Sequence, residues 1–405
     1  MDQPSLRQNI RALPRAAWVL FAGTFVNRFG TFIIPFLTLY ITARGYSAPQ
    51  AGLGVAAYGL GAVGAQGFGG VLADRLGRRN TIALSMFTGA VLAFLLPEVR
   101  GLPVILLVVM LLGMFGEIYR PASAALIADL VPMERRVTAF TFMRLAVNAG
   151  FAFGLAAGGA LADRSFTLLF WADAATSAVF GAIALTALPE GVRTSRHEER
   201  RHASSAIRAI TADRGFLLFL AGVFAIAVIY MQNATTFALQ VRRLGFSNTT
   251  YGLLLSLNGG LILFLELLVT SWTQRRDRIR MVALGAALIG LGFGTLVVAH
   301  SILALVGMTL IFTMGEMIES PNASAFVADR SPRHTRGRYQ AAFGTMFAVA
   351  AIVGPIAGTS AFHADPNAVW MGCAVLGLIA AVLALSVNRR PAPDLEVPAV
   401  DAVPT

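Results

Sequence analysis

Long apolar runs broken by short polar turns fill this chain from residue 16 to residue 388. Twelve runs stand out, at 16–43, 48–72, 79–98, 102–129, 136–161, 166–188, 215–243, 248–273, 279–299, 302–329, 336–362 and 366–388. A helix needs about 20 apolar residues to cross a bilayer's hydrocarbon core. Within one segment, only a helix satisfies its own backbone polar groups in that medium. The pattern predicts an all-α membrane protein with 12 transmembrane helices. The first run follows an arginine-bearing start and is too long for a cleaved signal peptide, so it reads as the first span. Residues 189–214 are the one long polar stretch between runs and read as a linker. Residues 389–405 are Pro-rich and read as a disordered tail.

The chain repeats itself at an offset of 200 residues. Gly45, Ser47, Gly52 and Leu53 match Gly245, Ser247, Gly252 and Leu253. Arg75 and Arg78 match Arg275 and Arg278, and Pro121, Ala128, Asp129, Pro132 and Arg136 match Pro321, Ala328, Asp329, Pro332 and Arg336. Gly154, Ala157 and Gly158 match Gly354, Ala357 and Gly358. This predicts two homologous six-helix halves, residues 1–188 and 215–388, joined by the linker. The period is far too long for a solenoid.

Composition agrees with the pattern. Charged residues are 13% of the chain and the mean hydropathy is +0.69, against about 25% charged in a soluble protein. The net charge of +11 would suggest nucleic acid in a soluble chain, but its placement excludes that. All 32 basic residues are arginine; 24 lie on alternate loops and the two tails, 5 on the opposite loops and 3 inside spans. By the positive-inside rule both termini are cytoplasmic. Arginine for every lysine points to a GC-rich bacterial genome, hence to the bacterial cytoplasmic (inner) membrane. Cys373 is the only cysteine, so no intrachain disulfide can form.

One acid and three arginines fall together in Gly70-Val71-Leu72-Ala73-Asp74-Arg75-Leu76-Gly77-Arg78-Arg79. This stretch is a short, glycine-hinged loop between the second and third spans. It resembles the G-x-L-A-D-R-x-G-R-R signature of the major facilitator superfamily, at that family's place for it. The second half carries a worn copy, with Thr270, Trp272, Gln274 and Asp277 where Gly70, Leu72, Asp74 and Gly77 stand in the first. The resemblance implies that Asp74, Arg75, Arg78 and Asp129, with the hinges Gly70 and Gly77, form a conformational latch. In it Asp74 abuts the start of helix 11, where a carboxylate gains about 0.3–1 kcal/mol from the helix N-terminus. Helix 5 carries Gly150, Gly154 and Gly158, similar to the family's antiporter signature but with Leu155 in place of its proline. Helix 11 keeps Gly354, Pro355 and Gly358, so the kink signal falls there. These six are taken as helix-packing residues. Gly59-x-Gly61-x-x-Gly64 matches a dinucleotide fingerprint, but no strand precedes it, so packing explains it.

Ionisable residues inside spans each cost about 2.5–3.5 kcal/mol on insertion scales, so they point to chemistry. They are Arg28, Arg120 and Arg144, with Glu117, Asp173, Glu266, Glu316 and Glu319. An acid excess suits cations and protons better than anions. Glu117 and Arg120 are three apart and can pair, and a cross-helix pair of Glu117 with Arg144 is open. Arg28 either faces the central cavity or neutralises an acid. Glu316 and Glu319 share a face, and two carboxylates in a low dielectric resist ionising together. With Glu117 they are the proton-coupling candidates, Glu316 foremost. Asp173 and Arg144 read as structural charges. Substrate-cavity candidates are Asn27, Arg28, Phe36, Tyr119, Arg120, Tyr230, Met231 and Glu316, since the resemblance implies that helices 1, 4, 7 and 10 line the cavity. Aromatic and methionine walls with few polar anchors suit bulky lipophilic ligands.

The resemblance implies proton-coupled export of lipophilic cationic drugs or metabolites by alternating access, similar to twelve-helix multidrug antiporters. The same fold also serves peptides, sugars, amino acids, lipids and organic anions, and that alternative stays open. No metal-ligand cluster, cofactor motif or nucleophile–base pair is visible, so no enzyme is expected. The expected partners are a small molecule, protons and membrane lipid, with the chain a monomer.

Overall fold

The computed structural model describes residues 10–191, 211, 213–331 and 336–387. Among the described residues are twelve helices long and apolar enough to cross a membrane. They are α1 (Arg15–Ala43), α2 (Ala48–Leu76), α3 (Arg78–Glu98), α4 (Leu102–Leu130), α5 (Thr138–Arg164), α6 (Phe166–Ala187), α7 (Arg214–Arg243), α8 (Asn248–Thr273), α9 (Arg278–Val297), α10 (Ile302–Arg330), α11 (Gly337–Ala364) and α12 (Pro366–Leu385). The predicted spans coincide with them to within a few residues. No strand occurs among the described residues. Of the predicted linker, only residues 189–191, 211, 213 and 214 are described; the predicted tail lies outside the described residues.

The repeat is visible in how helices begin. Ser47 caps α2 in a reciprocal box with Gln50, whose Oε1 accepts from the Ser47 N–H at 2.9 Å. Ser247 caps α8, its Oγ accepting from the Thr250 N–H at 3.1 Å. Each such cap contributes about 1 kcal/mol. Gly45 and Gly245 precede these caps at φ +89° and +84°, backbone that side chains with a Cβ rarely adopt.

Three helices are interrupted mid-span; in α4 the interruption is the single residue Ile118, between Glu117 and Tyr119. In α1 the helix breaks after Phe29 and resumes at Ile33. The freed N–H groups of Phe32 and Ile33 donate to Asp173 Oδ2 on α6, at 3.0 and 3.2 Å. In α7 the break falls at Ala234 and Thr235, and Gln232 ties it to α11 by donating to the Gly354 carbonyl at 3.1 Å. By contrast α11 runs unbroken through Pro355. The proline leaves the Ala351 carbonyl without its helical donor. Gly59 of α2 sits on that carbonyl, where a Cβ would stand 2.7 Å from the oxygen.

The helices pack as two sets of six with one pairing scheme. In the first, α1 packs on α5 and α6, α2 on α4, and α3 on α6. In the second, α7 packs on α11 and α12, α8 on α10, and α9 on α12. The sets meet where α5 packs on α8 and α2 on α11. The outside is apolar: Phe264 and Leu303 are 72% and 79% exposed, as lipid-facing side chains are.

Candidate functional site

The two sets close on one another at the end opposite the arginine loop. Here Asp163, at the end of α5, reaches the start of α8. Its Oδ1 accepts from the Asn248 N–H at 2.8 Å, and its Oδ2 from the Thr249 N–H at 2.8 Å and the Thr249 hydroxyl at 2.6 Å. The Tyr251 hydroxyl donates to the Pro35 and Asn233 carbonyls at 3.2 and 2.9 Å. Phe36 meets the Tyr251 ring edge-on at 5.5 Å. Along α2 the packing then fades. A Cβ on Gly52 would stand 2.7 Å from the Pro355 carbonyl oxygen, but on Gly64, Gly67 or Gly70 it would meet nothing within 4 Å. The cavity between the sets is therefore shut at one end and splayed at the arginine-loop end.

Three chambers sharing Asn148 and Ile262 make up that cavity. A midplane chamber of about 270 Å³ is lined by Pro35, Phe151, Tyr230, Asn233, Asn258 and Glu316 among others. A polar chamber of about 250 Å³ adds Arg144, Glu266 and Ser320. An outer chamber of about 710 Å³ lies between α5 and α8. The described lining of all three comes from α1, α5, α7, α8 and α10, and none of it from α4.

Each set holds a carboxylate on its fourth helix by a side chain of its second. In the first set, the Tyr58 hydroxyl donates to Glu117 at 2.9 Å. In the second, the Asn258 amide donates to Glu316 at 2.9 Å and to Thr313 at 2.9 Å. Tyr58 and Asn258 stand 200 residues apart. Their surroundings differ. Glu117 pairs with Arg120 and lies 3.7 Å from Arg28. Glu316 and Glu319 have no arginine partner among the described residues. Glu319 is buried, its stem against Gly285 of α9. The Tyr230 hydroxyl lies in the field of both acids and has no hydrogen-bond partner among the described residues.

The other expected cavity residues are placed elsewhere. Arg28 is buried against the rings of Tyr119 and Phe151, in a pocket of about 40 Å³ within the first set. Of the two options the sequence left open, it takes the acid-neutralising one. Asn27 in the same pocket donates to Ser177 at 3.2 Å. Tyr119 packs on Phe180, and Phe36 belongs to the closed end. Met231 packs on Gly354. The Glu117–Arg144 pair does not form. Arg144 instead crosses between the sets to Glu266, because α5 turns Gly150 and Gly154 toward α1 and Arg144 toward the cavity. A Cβ on Gly154 would stand 2.0 Å from the Phe29 carbonyl oxygen, so α5 and α1 are in backbone contact at the α1 break. Gly158 lies on Phe32 and Gly358 on Gln232. Asp173 is the acceptor that satisfies that break.

At the splayed end, Arg78 is the hub. It lies 3.1 Å from Asp74 and 3.1 Å from Asp129, and donates to the Ala73 carbonyl at 3.1 Å. Gly77 alone makes the turn, at φ +88°; the rest of the expected loop is helical, with Gly70 inside α2 rather than at a hinge and Arg78 opening α3. Arg75 is exposed, and Arg79 pairs with Glu190 at 2.8 Å. Residues 332–335, ahead of α11, lie outside the described residues. The second set repeats the pair as Arg278 with Asp329.

Three features escaped the sequence. Asp163 and Asp213 resemble ordinary helix-end acids, yet one bridges the sets and the other makes a buried two-pronged pair with Arg330 at 2.6 and 2.8 Å. Asn258 carries no charge to flag it; its 200-residue relation to Tyr58 was the available signal.

The comparisons agree with this architecture. The chain is 27% identical over 350 residues to YqjV of Bacillus subtilis (strain 168), an uncharacterized MFS-type transporter, covering 84% of this chain and 85% of that one. It is 30% identical over 155 residues to the quinolone resistance protein NorA of Staphylococcus aureus (strain Mu50 / ATCC 700699), covering 38% of this chain and 40% of that one. The crystal structure of the nucleoside transporter NupG shares the fold at TM-score 0.77 and 16% identity, covering 91% of this chain and 100% of that one. The sequence pattern of the Major Facilitator Superfamily matches residues 20–355 and 224–403. With the two six-helix sets, the cavity between them and the arginine loop, that match places the chain in the Major Facilitator Superfamily, as a multi-pass membrane transporter.

Proposed function

We propose that this transporter exports lipophilic cations in exchange for protons, by alternating access. One observation carries the proposal: Glu316 lines the cavity, with Glu319 buried one turn behind it, and neither has a basic partner among the described residues, while Arg28, Arg120 and Arg144 each stand beside an acid. An ionised carboxylate so placed attracts a cation and loses that attraction on protonation. The anion alternative draws no support from Arg28, which is buried with Glu117 away from the cavity. The stretch of likeness to NorA agrees with drug export.

In the proposed orientation the arginine loop, both termini and linker 189–214 are cytoplasmic, the membrane is the bacterial inner membrane, and the monomer is the working unit. The halves are residues 1–188 and 215–388. The cavity is then open to the cytoplasm. The ionised acid on α10 binds the cation there. After the switch to the outward-open state, protonation of that acid releases the substrate. Reopening inward returns the proton to the higher-pH cytoplasm. Asp74, Arg78 and Asp129 latch the cytoplasmic end in the outward-open state.

The test is proton movement in sealed proteoliposomes carrying a pH gradient. Adding a lipophilic cation should release protons, and Glu316→Gln or Glu319→Gln should abolish the release. No response to cations, with a response to peptides, sugars or organic anions, would overturn the export reading and keep the fold.

A further inference from the structure

The outer chamber has two walls and a floor. It is a groove between one face of α5, with Phe140 and Leu145, and one face of α8, with Leu263 and Leu267, floored by Pro321 of α10. Leu267 is 81% exposed, and Phe140 and Leu145 are 42% and 46% exposed. On a spanning helix, apolar side chains this exposed stand against acyl chains. Because α5 and α8 touch at the closed end and part at the other, the groove is a wedge in the flank of the bundle. Among the described residues no further helix lines it.

The inner end of the groove is crossed by the Arg144–Glu266 ion pair, one partner from each set. The pair lines the groove and also the polar chamber behind it, where Glu266 and Glu316 share one space. Its members are unequally held. The Arg144 side chain is 62% exposed and that of Glu266 19%, so the arginine is the partner with room to move. An apolar groove, a charge pair and a second acid follow one another in line.

We propose that this groove is a side entrance through which a lipophilic monocation passes from the leaflet into the polar chamber, and that Arg144–Glu266 is the gate it displaces. The inference rests on the cation-export reading. The apolar tail lies along Phe140, Leu145, Leu263 and Leu267 while the head group takes the place of Arg144 at Glu266. The exchange is charge for charge, so Glu266 never stands bare in a low dielectric, where an unpaired charge is costly. A neutral or anionic amphiphile has nothing to exchange, and the pair stays closed to it.

The test uses two cations with one head group, methyltriphenylphosphonium, which stays largely in water, and dodecyltriphenylphosphonium, which partitions into lipid. Transport of each is measured in proteoliposomes for the full chain and for Leu145→Trp and Leu263→Trp, which fill the groove. The expected result is a loss of about tenfold or more for the dodecyl cation, with the methyl cation within about twofold. A measurement on the unmodified protein guards against misfolded variants: a dodecyl cation with a photoreactive chain should label residues 140–145 and 263–267. Equal sensitivity of both cations to the filled groove, or labelling only in the midplane chamber, overturns the side entrance and leaves the export reading standing. An unmodified protein that moves neither cation overturns the export reading and this one with it.

Discussion

Asp163 and Thr249, on helices from different halves, are joined twice, the carboxylate accepting from both the N–H and the hydroxyl of Thr249 at 2.8 and 2.6 Å. With the bond from Asn248 they place an anion on the positive end of α8. They span the interface that must part when the cavity opens on that side.

Asp163→Ala should therefore shift the resting population toward the state open at that end. A hydrogen bond to a charged group contributes about 1.5–3 kcal/mol when sheltered. This carboxylate is exposed, so a shift of about 1 kcal/mol, severalfold in population, is expected. Distance measurements between spin labels on α5 and α8 would record it. An unchanged distribution would remove Asp163 from the gate.

Glu117 and Glu316 should answer differently to the same substitution. Glu117→Gln leaves buried Arg28 beside a neutral partner, and breaking a buried pair costs about 3–5 kcal/mol. A marked fall in Tm is expected. Glu316→Gln keeps the Asn258 contact and breaks no ion pair, so Tm should hold while cation-driven proton release is lost. Equal Tm losses would contradict the contrast between the two sites.

Asp213 and Arg330 form a buried pair, 3% and 7% exposed, and Asp213 also caps α7 through the Phe216 N–H at 3.0 Å. Arg330→Met alone should destabilise by about 3–5 kcal/mol. The double variant Asp213→Asn, Arg330→Met keeps the cap and removes both charges, and it should recover a large part of that loss. A double-mutant cycle on thermal unfolding measures the coupling.

Gly154→Val should be more damaging than Gly158→Ala. At Gly154 the obstacle is the Phe29 backbone, which cannot move without shifting the α1 break; at Gly158 it is the Phe32 ring. Loss of the monodisperse peak in size-exclusion chromatography for the first and its retention for the second is the expected outcome.

The spans were legible because each is a long apolar run, and Ser47 and Ser247 were legible as partners in the repeat, though not as the caps they prove to be. The repeat carried the pairing scheme. The facing of charged side chains was not legible. Glu117 and Arg144 sit on consecutive helices, yet α4 turns the acid into its own half while α5 turns the arginine toward the other. Helical period names a face but not the neighbour that face meets. Arg28 and Glu316 both read as midplane charges, and only packing separates the neutralised one from the one without a basic partner.

Gly59 rests on the carbonyl that Pro355 frees, and beyond it α2 leaves α11. That contact is a fulcrum. From Gly59 to Leu76 the helix extends about 25 Å at 1.5 Å per residue. A tilt of about 10° at the fulcrum swings the arginine loop through about 4 Å, enough to make or break an ion pair. A side chain added at Gly59 would move the pivot and alter the stroke of the lever while leaving every charge at its tip in place.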